Sequence, residues 1–107
     1  VELESISSVA TSLGARAVAP HALELCRDHR IIPHVVSDKA AVAACSRFLD
    51  DHRVLVEPAC GVSLSALYEN TPLLGDAGTV LVVVCGGIGI SAAKLRDLEA
   101  RFGLSKL

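Results

Sequence analysis

Val80-Leu81-Val82-Val83-Val84-Cys85, followed at once by Gly86-Gly87-Ile88-Gly89, is the stretch on which the fold reading turns. Unbroken apolar residues with no polar alternation predict a strand covered on both faces, the pattern of a central strand in a parallel sheet packed between helices. The glycines turn the chain, and Ser91 caps a last helix with Leu95, Leu98 and Phe102 on one face and Gly103 at its end. Upstream, Asn70, Pro72, Gly75, Asp76 and Gly78 form a turn-rich loop. Before it, Val54–Val56 reads as a short buried strand, and Pro58 opens a helix to about Tyr68 with Leu64, Leu67 and Tyr68 inward. Ser37 and Asp38 start a helix running to about Asp51, with Val42, Cys45, Phe48 and Leu49 at helical spacing and Asp38 suiting the positive helix end. Ile31–Val36 is rich in β-formers, but Pro33 cannot donate to a ladder, so this strand lies at an edge or begins after the proline. Pro20 opens the first clear helix, to about His29, with Leu23 and Cys26 on one face. Alternating helices and strands predict an α/β fold of three layers around a small, mostly parallel sheet with right-handed crossovers.

The composition fits one domain: 107 residues, 51% hydrophobic, 21% charged, formal net charge −2. That charge balance excludes a disordered charged tail and argues against an electrostatic nucleic-acid binder. The longest uncharged apolar run, Thr79 to Ser91, has 13 residues and is too short to span a bilayer. The chain starts at Val1, has no Met, and carries only three aromatics, Phe48, Tyr68 and Phe102. Three strands leave open sheet edges, so the expectation is a portion of a larger sheet. The cysteines at 26, 45, 60 and 85 form no C-x-x-C pair, which disfavours zinc and thioredoxin-type sites. Three of them sit in apolar contexts as small hydrophobes, and a reduced, cytoplasmic protein is expected.

In parallel sheets, ligands sit at the carboxyl ends of strands. Here that position belongs to Glu57-Pro58-Ala59-Cys60-Gly61 and to Cys85-Gly86-Gly87. Gly87-x-Gly89-x-x-Ala92 satisfies a loose dinucleotide fingerprint, but the further βαβ unit and the later acid are not there, and a tight structural turn is the plainer reading. Cys85 reads either as a small buried residue ending a strand or as a ligand-facing thiol. It lacks a base, because His21, His29, His34 and His52 fall away from the ligand edge and read as surface residues without metal-site spacing. Glu57 reads as a helix cap or as a carboxylate facing a ligand. Lys39, Lys94 and Lys106 read as lying on helix surfaces or at the terminus, none desolvated enough to serve as a reactive amine.

Three runs carry a resemblance: Ile6-Ser7-Ser8-Val9-Ala10 through Leu13-Gly14, Leu55-Val56-Glu57-Pro58-Ala59-Cys60-Gly61, and Val82-Val83-Val84-Cys85-Gly86-Gly87. In this order, with Val36-Ser37-Asp38, Ala41-Val42-Ala43-Ala44, Phe48 and Asp50-Asp51, they resemble the carboxyl-terminal third of the L-serine dehydratases (L-serine/L-threonine ammonia-lyases) over nearly the whole chain. The resemblance implies a fold type II pyridoxal-phosphate enzyme, its large cofactor domain tryptophan synthase β-like, and β-elimination of water from serine or threonine to give pyruvate or 2-oxobutanoate plus ammonia. It implies that Cys85 hydrogen-bonds the pyridine nitrogen of pyridoxal 5'-phosphate, that Gly86 and Gly87 let the backbone pass close to the ring, and that Glu57 lies beside it. It implies that the backbone carbonyls of Leu13 and Ala15 bind a monovalent cation, usually potassium. Ile88 and Gly89 stand where the family commonly has a polar pair. The Schiff-base lysine and the phosphate loop belong to the amino-terminal two-thirds, so no catalytic residue lies in residues 1–107, and this chain alone is expected to be inactive. The partners implied are the rest of the enzyme chain, a small amino-acid substrate and a second copy in a homodimer, with no nucleic acid and no membrane. Serine racemase and threonine deaminase share the fold and much of the chemistry that the resemblance implies, although Cys85 favours serine dehydratase. The non-enzymatic alternative is a stand-alone α/β binding module.

Overall fold

Local sequence signals set the helices of the structure, a computed structural model that describes residues 2–104. α1 spans Pro20–Asp28, α2 Asp38–His52, α3 Pro58–Tyr68 and α4 Ala92–Arg101, with single 3-10 turns at Thr11–Leu13 and Pro72–Leu74. Prolines, which have no N–H to leave orphaned, open α1 and α3. Ser37 Oγ accepts the Ala40 N–H at 3.1 Å and Ser91 Oγ accepts the Lys94 N–H at 3.1 Å, so the two serines cap α2 and α4. α4 stops where Gly103 turns left-handed at φ 64°, with the Leu104 N–H closing back to Glu99 O at 2.7 Å. α2 stops without a glycine: Arg53 itself takes the left-handed conformation at φ 61° and donates its N–H to Leu49 O at 2.9 Å.

The core forms where α2 crosses α3, with α4 laid against α2. Val42, Cys45, Val56 and Cys60 are fully buried, and Ala44, Leu64 and Leu95 complete the cluster. Phe48, Leu49, Leu98 and Phe102 pack around it, as their helical spacing predicts. Burying each large aliphatic side chain contributes about 1.5–3 kcal/mol. The crossing is close because α3 carries a glycine at the contact. A Cβ on Gly61 would lie 2.1 Å from the Ala41 carbonyl oxygen.

The expected sheet is not formed among the described residues, where no strand is present. A strand exists only when a neighbour supplies a ladder of backbone partners. Between residues 54–57 and 80–86, one backbone hydrogen bond does this, from the Glu57 N–H to Gly86 O at 3.1 Å. Ile31, Ile32 and Val35 are exposed, and so are Val80, Leu81, Val83 and Val84, while Val82 alone of the 80–84 run touches the core. The two-sided covering read from Val80–Cys85 is therefore missing here. Val54 is exposed where a buried strand residue was expected, although Val56 is fully buried. The predicted inward positions Leu67 and Leu23 are exposed too, and α1 has no buried residue. Among the described residues, no helix is long and apolar enough to cross a membrane. Lys39 and Lys94 are exposed as expected; Lys106 lies outside the described residues.

Candidate functional site

Two segments far apart in sequence meet at the start of α3. The first is Glu57 through Gly61; the second is Cys85 through Ile90. Glu57 occupies the capping position of α3, but its side chain does not cap the helix. Its backbone N–H donates to Gly86 O at 3.1 Å, while its carboxylate reaches forward, and Oε2 accepts the Gly89 N–H at 3.1 Å. Of the two readings of Glu57, helix cap or carboxylate facing a ligand, the geometry removes the first, since the side chain makes no cap hydrogen bond. One residue thus holds the glycine turn at two points.

Cys60, in the first turn of α3, holds the same turn from inside. Its sulfur accepts the N–H groups of Cys85 and Gly86, each at 3.2 Å, and also lies 3.2 Å from Gly86 O. The Cys85 sulfur stands 3.2 Å from the Cys60 sulfur, and either thiol can donate to the other. The hydrogen bond with Cys60, followed by desolvation, raises the Cys85 thiol above its ordinary range and keeps it neutral. Cys85 is exposed, so the buried strand-end reading does not hold. Of the three cysteines expected in apolar surroundings, Cys45 and Cys60 are buried, and burial pushes the Cys45 thiol up to about 12.

The glycines are required rather than incidental at two places. Gly86 has φ 141°, a conformation side chains rarely adopt, and a Cβ on Gly87 would lie 2.3 Å from the Leu55 carbonyl oxygen. At Gly86 a Cβ would meet nothing within 4 Å, so the backbone here borders open space. An exposed thiol, a backbone bare of side chains and an adjacent carboxylate thus share one surface.

Leu13 and Ala15 come together at the 3-10 turn Thr11–Leu13, which packs against α3. There the Leu13 carbonyl accepts the Ala15 N–H at 3.0 Å. Asp38, read in the sequence as a residue that starts α2 and as part of the resemblance, anchors the segment of chain before this turn. It accepts the Ser8 hydroxyl at 2.6 Å and the Val9 N–H at 3.1 Å. A cavity of about 300 Å³ opens between this loop and α4, lined by Ser7, Ser8, Glu57, Gly89, Lys94 and Arg101 among others; Cys85, Gly86 and Gly87 do not line it. Glu57 therefore faces the cavity on one side and the glycine turn on the other. His21, His29, His34 and His52 are exposed, and among the described residues no group of three or more His, Cys, Asp or Glu side chains could hold a metal ion.

Sequence reasoning missed Cys60 as a positioning residue. Its one signal was its place two residues after a proline that opens a helix, where a side chain sits beside the incoming turn.

Residues 1–86 match the family model described as pyridoxal-phosphate dependent enzyme. The chain is 44% identical to the human protein named L-serine dehydratase/L-threonine deaminase, over 98% of this chain and 34% of that protein. It is 41% identical to the L-serine dehydratase of Dictyostelium discoideum, over 92% of this chain and 29% of that one. The crystal structure of a fungal L-serine ammonia-lyase from Rhizomucor miehei superposes with a TM-score of 0.86 at 36% identity, over 95% of this chain and 34% of its own. The chain spans about a third of the length of these relatives.

Proposed function

The chain belongs to the pyridoxal-phosphate dependent enzymes, and on that premise we propose that it is the carboxyl-terminal portion of the cofactor domain of an L-serine/L-threonine dehydratase. The observation that carries this reading is the meeting of two resemblance motifs, Glu57-Pro58-Ala59-Cys60-Gly61 and Cys85-Gly86-Gly87, in one hydrogen-bonded unit. The names of the relatives support the substrate class, a small hydroxy-amino acid.

When bound, pyridoxal phosphate supplies the electron sink that lets a hydroxy-amino acid lose water and then ammonia. In this proposal Cys85 meets the pyridine nitrogen as a neutral thiol. A carboxylate there would hold a proton on that nitrogen; a thiol that stays protonated leaves the nitrogen largely uncharged. Gly86 and Gly87 give the ring edge a backbone without side chains, and Glu57 keeps the glycine turn in register through its bond to the Gly89 N–H. Leu13 and Ala15 present carbonyls to a monovalent cation, potassium in the family pattern, and the packing of the turn Thr11–Leu13 beside α3 supports a role in bracing that helix. The exposed runs 31–36 and 80–84 become strands of the larger sheet once the rest of the domain supplies their neighbours. Homodimer assembly and a cytoplasmic setting belong to the same reading.

The test is to express the complete reading frame, with any coding sequence before Val1, and to supply pyridoxal phosphate and L-serine. Release of pyruvate and ammonia in equal amounts is expected. A protein that takes up the cofactor but releases no 2-oxo acid from serine or threonine overturns the substrate assignment. One with no affinity for the cofactor overturns the site.

A further inference from the structure

We propose that Cys60 and Cys85 form an oxidisable dithiol, a modification site at which a peroxide closes a disulfide and removes the Cys85 thiol from the ring-facing surface. The geometry carries this. The two sulfurs lie 3.2 Å apart although the residues are 25 positions apart in sequence, and one is exposed while the other is buried directly behind it. The N–H groups of Cys85 and Gly86 both point at the Cys60 sulfur, so the backbone that bears Cys85 is already held against its partner. A disulfide needs the sulfurs at ~2.05 Å, a closure of about 1.2 Å from their present separation.

The step balances without further reagents. The exposed Cys85 thiol gives up its proton to solvent as its sulfur attacks one peroxide oxygen; the S–O bond forms, the O–O bond breaks, and the leaving hydroxide takes up a proton to become water. The Cys60 sulfur then attacks the Cys85 sulfenic acid; the S–S bond forms, the S–O bond breaks, and hydroxide leaves with the Cys60 proton as a second water. The two thiols lose two electrons and two protons, and the peroxide is reduced to water. The remaining cysteines are placed differently. Cys26 is exposed on α1, which among the described residues packs against no other helix, and Cys45 is fully buried. The consequence for cofactor binding rests on the role proposed above for Cys85; the formation of the bond does not.

The experiment treats the full-length protein, carrying Cys26→Ser to prevent links between molecules, with hydrogen peroxide, with and without pyridoxal phosphate. Digestion and mass spectrometry locate the link. The expected result is a Cys60–Cys85 peptide pair lighter by two hydrogen atoms, the loss of two titratable thiols, and full return of both on adding a dithiol reductant. In Cys60→Ser, Cys85 is expected to run on to sulfinic acid instead. A wild-type Cys85 that over-oxidises without linking, or a link made through Cys45, overturns the proposal. If the Cys60–Cys85 link forms equally fast with and without bound cofactor, the dithiol stands and the placement of Cys85 at the ring fails.

Discussion

Gly61→Ala puts a methyl group where two helices touch. The added carbon would lie 2.1 Å from the Ala41 carbonyl oxygen, 2.7 Å from the Cys45 sulfur and 2.9 Å from the Ala41 carbonyl carbon. Ordinary contact begins near 3.4 Å, so α3 must move away from α2 by about 1.3 Å. The Ala41 oxygen belongs to the backbone of α2 and has no rotamer by which to give way. In an exposed helix the same change stabilises by ~0.5–1 kcal/mol, because glycine loses more backbone freedom on folding than alanine. Here that gain meets an overpacking cost of about 1–3 kcal/mol, at the upper end when backbone is the obstacle, and looser packing around Val42 and Cys60 as the helices part adds to it. A net loss of about 2 kcal/mol is expected, equivalent to a fall in Tm of about 8–16 °C for a domain of this size. Thermal and urea melts of the variant against wild type measure it. Gly78→Ala is the control, because a Cβ there meets nothing within 4 Å, and it should stay within about 0.5 kcal/mol of wild type. A Gly61→Ala protein as stable as wild type, or more so, would refute the close crossing of α2 and α3.

Leu95 is the buried residue through which α4 joins the core, and Leu95→Ala should cost about 2–4 kcal/mol in urea unfolding; a loss below about 0.5 kcal/mol would mean that α4 is not docked. Ser37→Ala removes the acceptor of the Ala40 N–H and should cost about 1 kcal/mol, while Ser37→Asn should keep most of the stability; equal losses in both variants would contradict a capping role. The alkaline limb of stability follows from Cys45, whose thiol ionises near 9 when unfolded and at about 12 when folded. Its contribution is full below the unfolded value and is lost as pH rises from there through the folded value, because only the unfolded chain releases the proton. Melts across that range should show a steeper decline for wild type than for Cys45→Ala, and parallel declines would remove Cys45 as the cause.

The helices were legible because their signals are local. Pro20 and Pro58 mark two starts, Ser37 and Ser91 cap two more, and Gly103 marks a stop, each acting within a few residues of itself. Arg53 shows the limit: it ends α2 in a left-handed turn that nothing about an arginine announces. The sheet was not legible in the same sense. Val80–Cys85 has the composition of a strand, but a strand is completed by partners elsewhere, and between 54–57 and 80–86 the described residues offer a single backbone bond. At the site, residue type pointed to Glu57 and Cys85, while spacing could not say that they approach the same glycine turn. Cys60 was hidden because a cysteine among apolar residues looks like packing until its sulfur is seen taking two backbone N–H groups.

The short connection between α2 and α3 bears on the order in which the site assembles. Only residues 53–57 separate the two helices, so bringing them together costs little loop-closure entropy, and the pair can collapse as a hairpin before distant parts of the chain arrive. Glu57 and Cys60 ride on that hairpin. They form a prepared seat for the glycine turn, which follows Cys85, 25 residues downstream of Cys60.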